Sequence, residues 1–186
     1  MLTSAKTIMI LGDSLSAGYG IEKQQGWVNL LQNRLNQQYP KKHKVVNASV
    51  SGETTSGAVA RLPKLLQTHK PDIVVIELGG NDGLRGQPPQ MILKNLAQLV
   101  QQSQKNRATV ILLGMKTPPN MGMAYGKAFE NNYKMVSQQY KIKLQPFFLD
   151  GVAGHKNLIQ QDQIHPNAKA QPILLNNTYP YIKGVL

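Results

Sequence analysis

Short β-type runs alternate along this chain with longer amphipathic stretches, and no other feature restricts its fold as much. Asp72-Ile73-Val74-Val75-Ile76-Glu77-Leu78 is the strongest strand signal. Thr7-Ile8-Met9-Ile10-Leu11 reads as a buried strand ending at Gly12, Lys44-Val45-Val46-Asn47-Ala48 as a second, and residues 109–113 as a further one. A fifth strand over 143–149 is broken by Pro146, which implies an edge position or a late start. Between the strands the apolar spacing turns helical. Val28, Leu31 and Leu35 mark a helix over 27–38, and Val59, Leu62, Leu65 and Leu66 mark one over 55–68. Pro63 kinks that second helix or divides it. Further helices are expected near 89–103 and 126–140, and a last one starting near Pro166, since proline suits a first helical turn.

Strands alternating with helices build a parallel sheet covered on both faces. The expected fold class is therefore α/β: a three-layer α/β/α sandwich around a five-stranded parallel sheet. A length of 186 residues suits one domain, spanning 1–186, with a proper hydrophobic core. In such sheets ligands bind beyond the carboxyl ends of the strands. Polar residues fall there three times: Asp13 and Ser14 after the first strand, Ser51 and Gly52 after the second, Asn81 and Asp82 after the third.

Composition narrows the chemistry. The absence of cysteine excludes disulfides, a thiol nucleophile and a Cys-ligated zinc. No apolar run reaches the length of a membrane span, and residues 1–7 contain no signal-peptide core. The formal charge of +12 raises the question of nucleic acid or anionic lipid. The cations are scattered, however, and the densest run, Lys41-Lys42-His43-Lys44, reads as a solvated loop. No nucleic-acid partner is expected.

Gly12-Asp13-Ser14-Leu15-Ser16 presents a serine just past a tight turn at the active edge of the sheet. It does not match the G-x-S-x-G elbow, because Ser16 stands at the last position. A serine needs a base. His43 and His69 read as surface residues; His155 stays open on position alone. His165 lies in Asp162-Gln163-Ile164-His165-Pro166, where the proline keeps it out of a helix and a carboxylate three residues back can orient the imidazole. Oxyanion donors are available at Gly52, through its backbone, and at Asn81, through its amide. Each signal has an ordinary reading as a cap or turn; their joint arrangement is what points to acyl-transfer chemistry.

In order, Gly12-Asp13-Ser14-Leu15-Ser16, Asn47-Ala48-Ser49-Val50-Ser51-Gly52-Glu53-Thr54, Gly79-Gly80-Asn81-Asp82 and Asp162-Gln163-Ile164-His165-Pro166 resemble the four blocks of the SGNH (GDSL) hydrolase family. Ala60-Arg61-Leu62-Pro63, Gly83-Leu84-Arg85-Gly86 and Pro166-Asn167-Ala168 are similar to its bacterial thioesterase I, lysophospholipase L1 and arylesterase group. The resemblance implies the flavodoxin-like fold of that family and a serine hydrolase of esters and thioesters. Ser14 would be the nucleophile, His165 the base and Asp162 its orienting acid. The Ser14 and Gly52 amides with the Asn81 side chain would hold the oxyanion. Asp13 is expected to hold its turn through hydrogen bonds. Residues 83–88 resemble a mobile substrate loop, and Gly80, Asp82, Gly83, Leu84, Met115 and Pro118 are the expected substrate contacts. Residues 115–125 either line an acyl groove or pack on the core.

The resemblance implies no metal and no cofactor. Its expected partners are small acyl esters or thioesters, with transient contact to anionic lipid surfaces, and the chain is expected to be a monomer. The location would be periplasmic or secreted if the chain is a mature form, and cytoplasmic otherwise. A carbohydrate deacetylase and a non-catalytic acyl-binding protein remain the alternatives on this fold. A phosphoacceptor signalling domain would need an aspartate ending the third strand, where Gly79-Gly80-Asn81 follows instead.

Overall fold

The computed structural model describes residues 4–186. Five strands, β1 (Thr7–Gly12), β2 (Lys44–Asn47), β3 (Ile73–Glu77), β4 (Thr109–Leu113) and β5 (Lys143–Gln145), form one sheet. All neighbours are parallel, in the order β2-β1-β3-β4-β5. Among the described residues seven α-helices accompany them: α1 (Ser14–Ala17), α2 (Trp27–Gln38), α3 (Thr55–His69), α4 (Gly80–Leu84), α5 (Pro89–Lys105), α6 (Met123–Tyr140) and α7 (Gln171–Lys183). The central strands are apolar on both faces because helices cover both. Ile8, Met9, Ile10 and Leu11 of β1 and Val74, Val75 and Ile76 of β3 are wholly buried. Helices α2 and α7 pack together, while α3, α5 and α6 form the other row. Gln171 joins the first pair by accepting the Trp27 backbone N–H at 3.0 Å.

The chain leaves β1 toward β2 on one side and returns to β3 on the other. That reversal opens a crevice between the carboxyl ends of β1 and β3, where a doubly wound sheet binds its ligand. Ser14 follows β1 directly, and Asn81 lies four residues beyond the end of β3.

Several expectations are corrected. The strand at 143–149 stops at Gln145: it is an edge strand, and Pro146 cannot donate to a ladder. The last helix starts at Gln171, after a 3₁₀ turn at Ala168–Ala170, and Pro172 rather than Pro166 occupies its first turn. Pro63 does not divide α3, which runs unbroken to His69. His43 is not a surface residue. It is buried against Tyr39, and its Nδ1 accepts the Lys6 backbone N–H at 3.1 Å. Burial, with Lys42 and Lys6 nearby, lowers its pKa. No helix among the described residues is long and apolar enough to cross a membrane.

Candidate active site

The Ser14 turn is built by its neighbours. Asp13 caps the single-turn helix α1, its carboxylate accepting the Leu15 N–H at 3.0 Å. Gly12 is needed for close approach: a Cβ there would stand 2.8 Å from the Glu77 Oε1 and 2.9 Å from the Ser16 Oγ. These contacts place Ser14, half-buried, at the mouth of the crevice.

The opposing arm comes from residues 158–167. An antiparallel bridge joins Ile159 to Pro166, and Gln160 donates around it: its N–H reaches the His165 carbonyl at 2.7 Å, while its amide donates to the Tyr19 and Pro166 carbonyls. Asp162 closes the tip. Its Oδ1 accepts the Ile164 and His165 N–H groups at 2.9 and 3.0 Å, and its Oδ2 meets His165 Nδ1 at 2.5 Å. The backbone N–H of His165, then its imidazole, then the Ile164 N–H hold the Asp162 carboxyl down at about 2. Beside an ionised Asp162 the proton of a neutral imidazole belongs on Nδ1. The lone pair of Nε2 then faces Ser14 Oγ at 3.0 Å. The Tyr19 ring packs on the imidazole with centroids 4.4 Å apart. Among the described residues, His165 is the histidine within hydrogen-bond reach of Ser14; His155 lies exposed in a separate turn.

Neither the Ser14 nor the Gly52 backbone N–H has an acceptor among the described residues. Gly52 has φ 81° in an exposed turn, and a Cβ there would meet nothing within 4 Å. The Asn81 amide donates to the Glu53 carbonyl at 2.9 Å, which fixes the side chain and leaves a second N–H. Arg61 steadies the same turn, bonding the Glu53 carboxylate at 2.6 Å and the Ala48 carbonyl at 2.9 Å.

A cavity of about 320 Å³ opens beside Ser14 and His165. Leu15, Leu84, Met115, Pro118, Leu149 and Ile164 make it apolar, with Gly80, Asn81 and Lys116 at its edge. Gly80, Leu84, Met115 and Pro118 are among the lining residues. Asp82 and Gly83 are not in the wall. Asp82 is buried beneath it and accepts the Thr55 N–H and hydroxyl at 2.9 and 2.7 Å, while Gly83 packs against Phe129 and Thr117. Residues 83–88 are also pinned: the Gln87 N–H bonds the Asp82 carbonyl, and the Tyr125 hydroxyl bonds the Gln87 carbonyl. Met115 is packed in the core, yet it still touches the cavity. Leu15, Leu149, Gln163 and Ile164 line it outside the expected substrate contacts, and Lys116 joins from the 115–125 stretch. Ile164 carried a usable signal, an apolar residue inside a polar loop; Leu149 carried none. A larger cavity of about 480 Å³ lies on the far side of α1, near Ile21, Asn29 and Asn47, and contains neither Ser14 nor His165. Among the described residues no three His, Asp or Glu side chains converge to hold a metal ion.

The model of the GDSL-like lipase/acylhydrolase family matches residues 10–172. Esterase TesA of Pseudomonas aeruginosa is 50% identical over 184 residues, covering 98% of this chain and 90% of that protein. Thioesterase 1/protease 1/lysophospholipase L1 of Escherichia coli K12 is 42% identical over 171 residues, 92% of this chain and 80% of that one. A crystal structure of TesA superposes with a TM-score of 0.94 at 49% identity, over 97% of this chain and 100% of that one. The psychrotrophic esterase EstA from a Pseudoalteromonas species, inhibited by monoethylphosphonate, superposes with a TM-score of 0.92 at 43% identity, over 96% of this chain and 97% of that one.

Proposed function

The chain belongs to the GDSL-like lipase/acylhydrolase family, and from that premise we propose that it hydrolyses carboxylic esters and thioesters through an acyl-enzyme on Ser14. The observation that carries this reading is the aligned relay at the mouth of an apolar cavity: Asp162 to His165 at 2.5 Å, His165 to Ser14 at 3.0 Å. His165 Nε2 takes the Ser14 hydroxyl proton as Oγ bonds the acyl carbon. The carbonyl oxygen becomes an oxyanion facing the Ser14 and Gly52 N–H groups and the free Asn81 amide hydrogen. The imidazolium returns its proton to the leaving alcohol or thiol as the carbonyl reforms. Water then enters and gives a proton to His165 as its oxygen bonds the acyl carbon; the imidazolium hands that proton to Ser14 Oγ as the Ser14–acyl bond breaks and the acid leaves. Asp162 stays ionised throughout and holds the imidazole.

The apolar wall favours a hydrocarbon acyl chain over an acetylated sugar as the bound group. The charge distribution suits anionic partners. Asp13, Glu77 and Asp82 are buried, Glu53 is paired with Arg61 and Asp162 with His165, so the excess of cations dominates the surface. Transient contact with anionic lipid surfaces, a monomeric state and a periplasmic or secreted location complete the proposal. Vesicle binding, sedimentation and cell fractionation test these in turn.

The reaction itself is tested with p-nitrophenyl esters of graded chain length, acyl-CoAs, lysophospholipids and acetylated sugars, run beside Ser14→Ala. Activity on the esters and thioesters that vanishes in Ser14→Ala is the expected result. Full activity in that variant would end the assignment. Selective turnover of acetylated sugars would move the substrate class and leave the mechanism in place.

A further inference from the structure

Glu77 is wholly buried at the end of β3, directly under the Ser14 turn, and acyl transfer as described above does not use it. Its Oε1 accepts the Ser16 hydroxyl at 2.6 Å and faces the Asp13 backbone N–H at 3.4 Å. Ser16 Oγ in turn accepts the Trp27 indole N–H at 3.2 Å. Oε2 is buried and receives no hydrogen bond. The buried Asp13 carboxyl faces Glu77. The ion pairs among the described residues are Arg61 with Glu53 and His165 with Asp162, so neither carboxyl has a paired cation. The other titratable groups near the pair are Tyr133 from α6, whose hydroxyl donates to the Leu78 carbonyl, Asp82 on α4, and His165 beyond Asp13. Two adjacent carboxyls in such a setting do not both ionise.

We propose that Glu77 is a positioning residue that works as a neutral acid, its Oε2–H donating to the Asp13 carboxylate and so holding the cap on the Ser14 turn. The proposal rests on the assignment of Ser14 as nucleophile. A proton on Oε2 converts an unpaired buried acceptor into a donor. Asp13 is the member of the pair that carries the charge, because its carboxylate already accepts the Leu15 N–H at 3.0 Å. Burial pushes both groups above the usual carboxylate range, Asp13 to about 6 and Glu77 well up. The sequence block preceding Gly79-Gly80-Asn81 is thereby given a role: its glutamate reaches across the sheet to the turn after β1.

Glu77→Gln keeps both an acceptor and a donor without a titrating proton. It should leave kcat and KM at neutral pH within about threefold of wild type. Glu77→Leu removes the donor and should lower kcat by about tenfold or more with little change in KM. The infrared difference spectrum of wild type minus Glu77→Gln should show a protonated-carboxyl stretch at neutral pH. A group whose folded pKa is raised stabilises below its unfolded pKa, and that contribution is lost as pH rises through the folded value. The melting temperature of Glu77→Gln relative to wild type should therefore climb as pH rises above 4.5, the unfolded value, toward the raised folded one. A missing acid band, a tenfold fall in kcat for a normally melting Glu77→Gln, or parallel melting curves against pH would each overturn the proposal. The spectrum and the melting profile are independent of turnover, so their failure is distinguishable from failure of the Ser14 assignment.

Discussion

Replacing Asp82 by alanine separates a supporting carboxylate from a substrate contact. Asp82 accepts two hydrogen bonds in the interior, from the Thr55 N–H at 2.9 Å and the Thr55 hydroxyl at 2.7 Å, and Thr55 Oγ1 receives the Asn95 amide at 3.0 Å. These bonds tie α4, which carries Asn81, to the first turn of α3 and to α5. Hydrogen bonds to a charged group contribute about 1.5–3 kcal/mol each, so losing both costs about 3–6 kcal/mol. In a domain of this size each kcal/mol lowers the melting temperature by about 2–4 °C, giving an expected fall of about 6–24 °C. Circular dichroism melts measure that fall, and KM for a soluble short-chain ester is measured well below the variant's transition. The expected pattern is a large loss of stability with nearly unchanged KM. A melting temperature within about 2 °C of wild type together with a raised KM would refute the reasoning and return Asp82 to the substrate site.

Asp162→Asn places an amide N–H against His165 Nδ1, forcing the proton to Nε2, where it opposes base action on Ser14; kcat should fall by about 10³–10⁴-fold with KM little changed. Because the Asp162 pKa is depressed from 3.8 to about 2, its stabilising contribution is complete above the unfolded value and disappears as pH falls through the folded one. The difference in melting temperature between wild type and Asp162→Asn should accordingly be greatest above pH 3.8 and vanish toward pH 2. His165→Ala should lose at least about 10³-fold in kcat with an unchanged circular dichroism spectrum, and His155→Ala should retain wild-type rates. Gly79→Ala forces a side chain onto a residue with φ 111° and drives its Cβ into the Tyr133 hydroxyl, which then loses the Leu78 carbonyl. Strain and an orphaned carbonyl together predict about 2–6 kcal/mol of destabilisation, read by urea denaturation.

Much of the site was legible because it is short-range. Asp162 and His165 are three residues apart, and Gly12 and Ser14 share one turn, so local sequence dictates their spacing. The strand–helix alternation likewise announces a parallel sheet, since each apolar run declares which layer it joins. What stayed hidden depends on where a side chain points after packing. Asp82 reads as a neighbour of Asn81 and hence of the substrate, yet α4 rotates it inward to Thr55. His43 reads as part of a basic loop, yet the chain folds it beneath Tyr39.

The sequence by itself determined the layers of the fold and pointed to Ser14, Gly52, Asn81, Asp162 and His165 as a candidate set. Only the tertiary structure decided that His165 Nε2 comes to 3.0 Å from an oxygen 151 residues away in the chain. It also decided that Glu77 and Asp13, 64 residues apart, meet without a cation. The physical reason is the same in both cases. Hydrophobic patterning specifies which faces are buried and is insensitive to direction within them. The contacts that tune acid and base strength are directional, and they form only when the crossovers of the sheet bring distant loops to one edge.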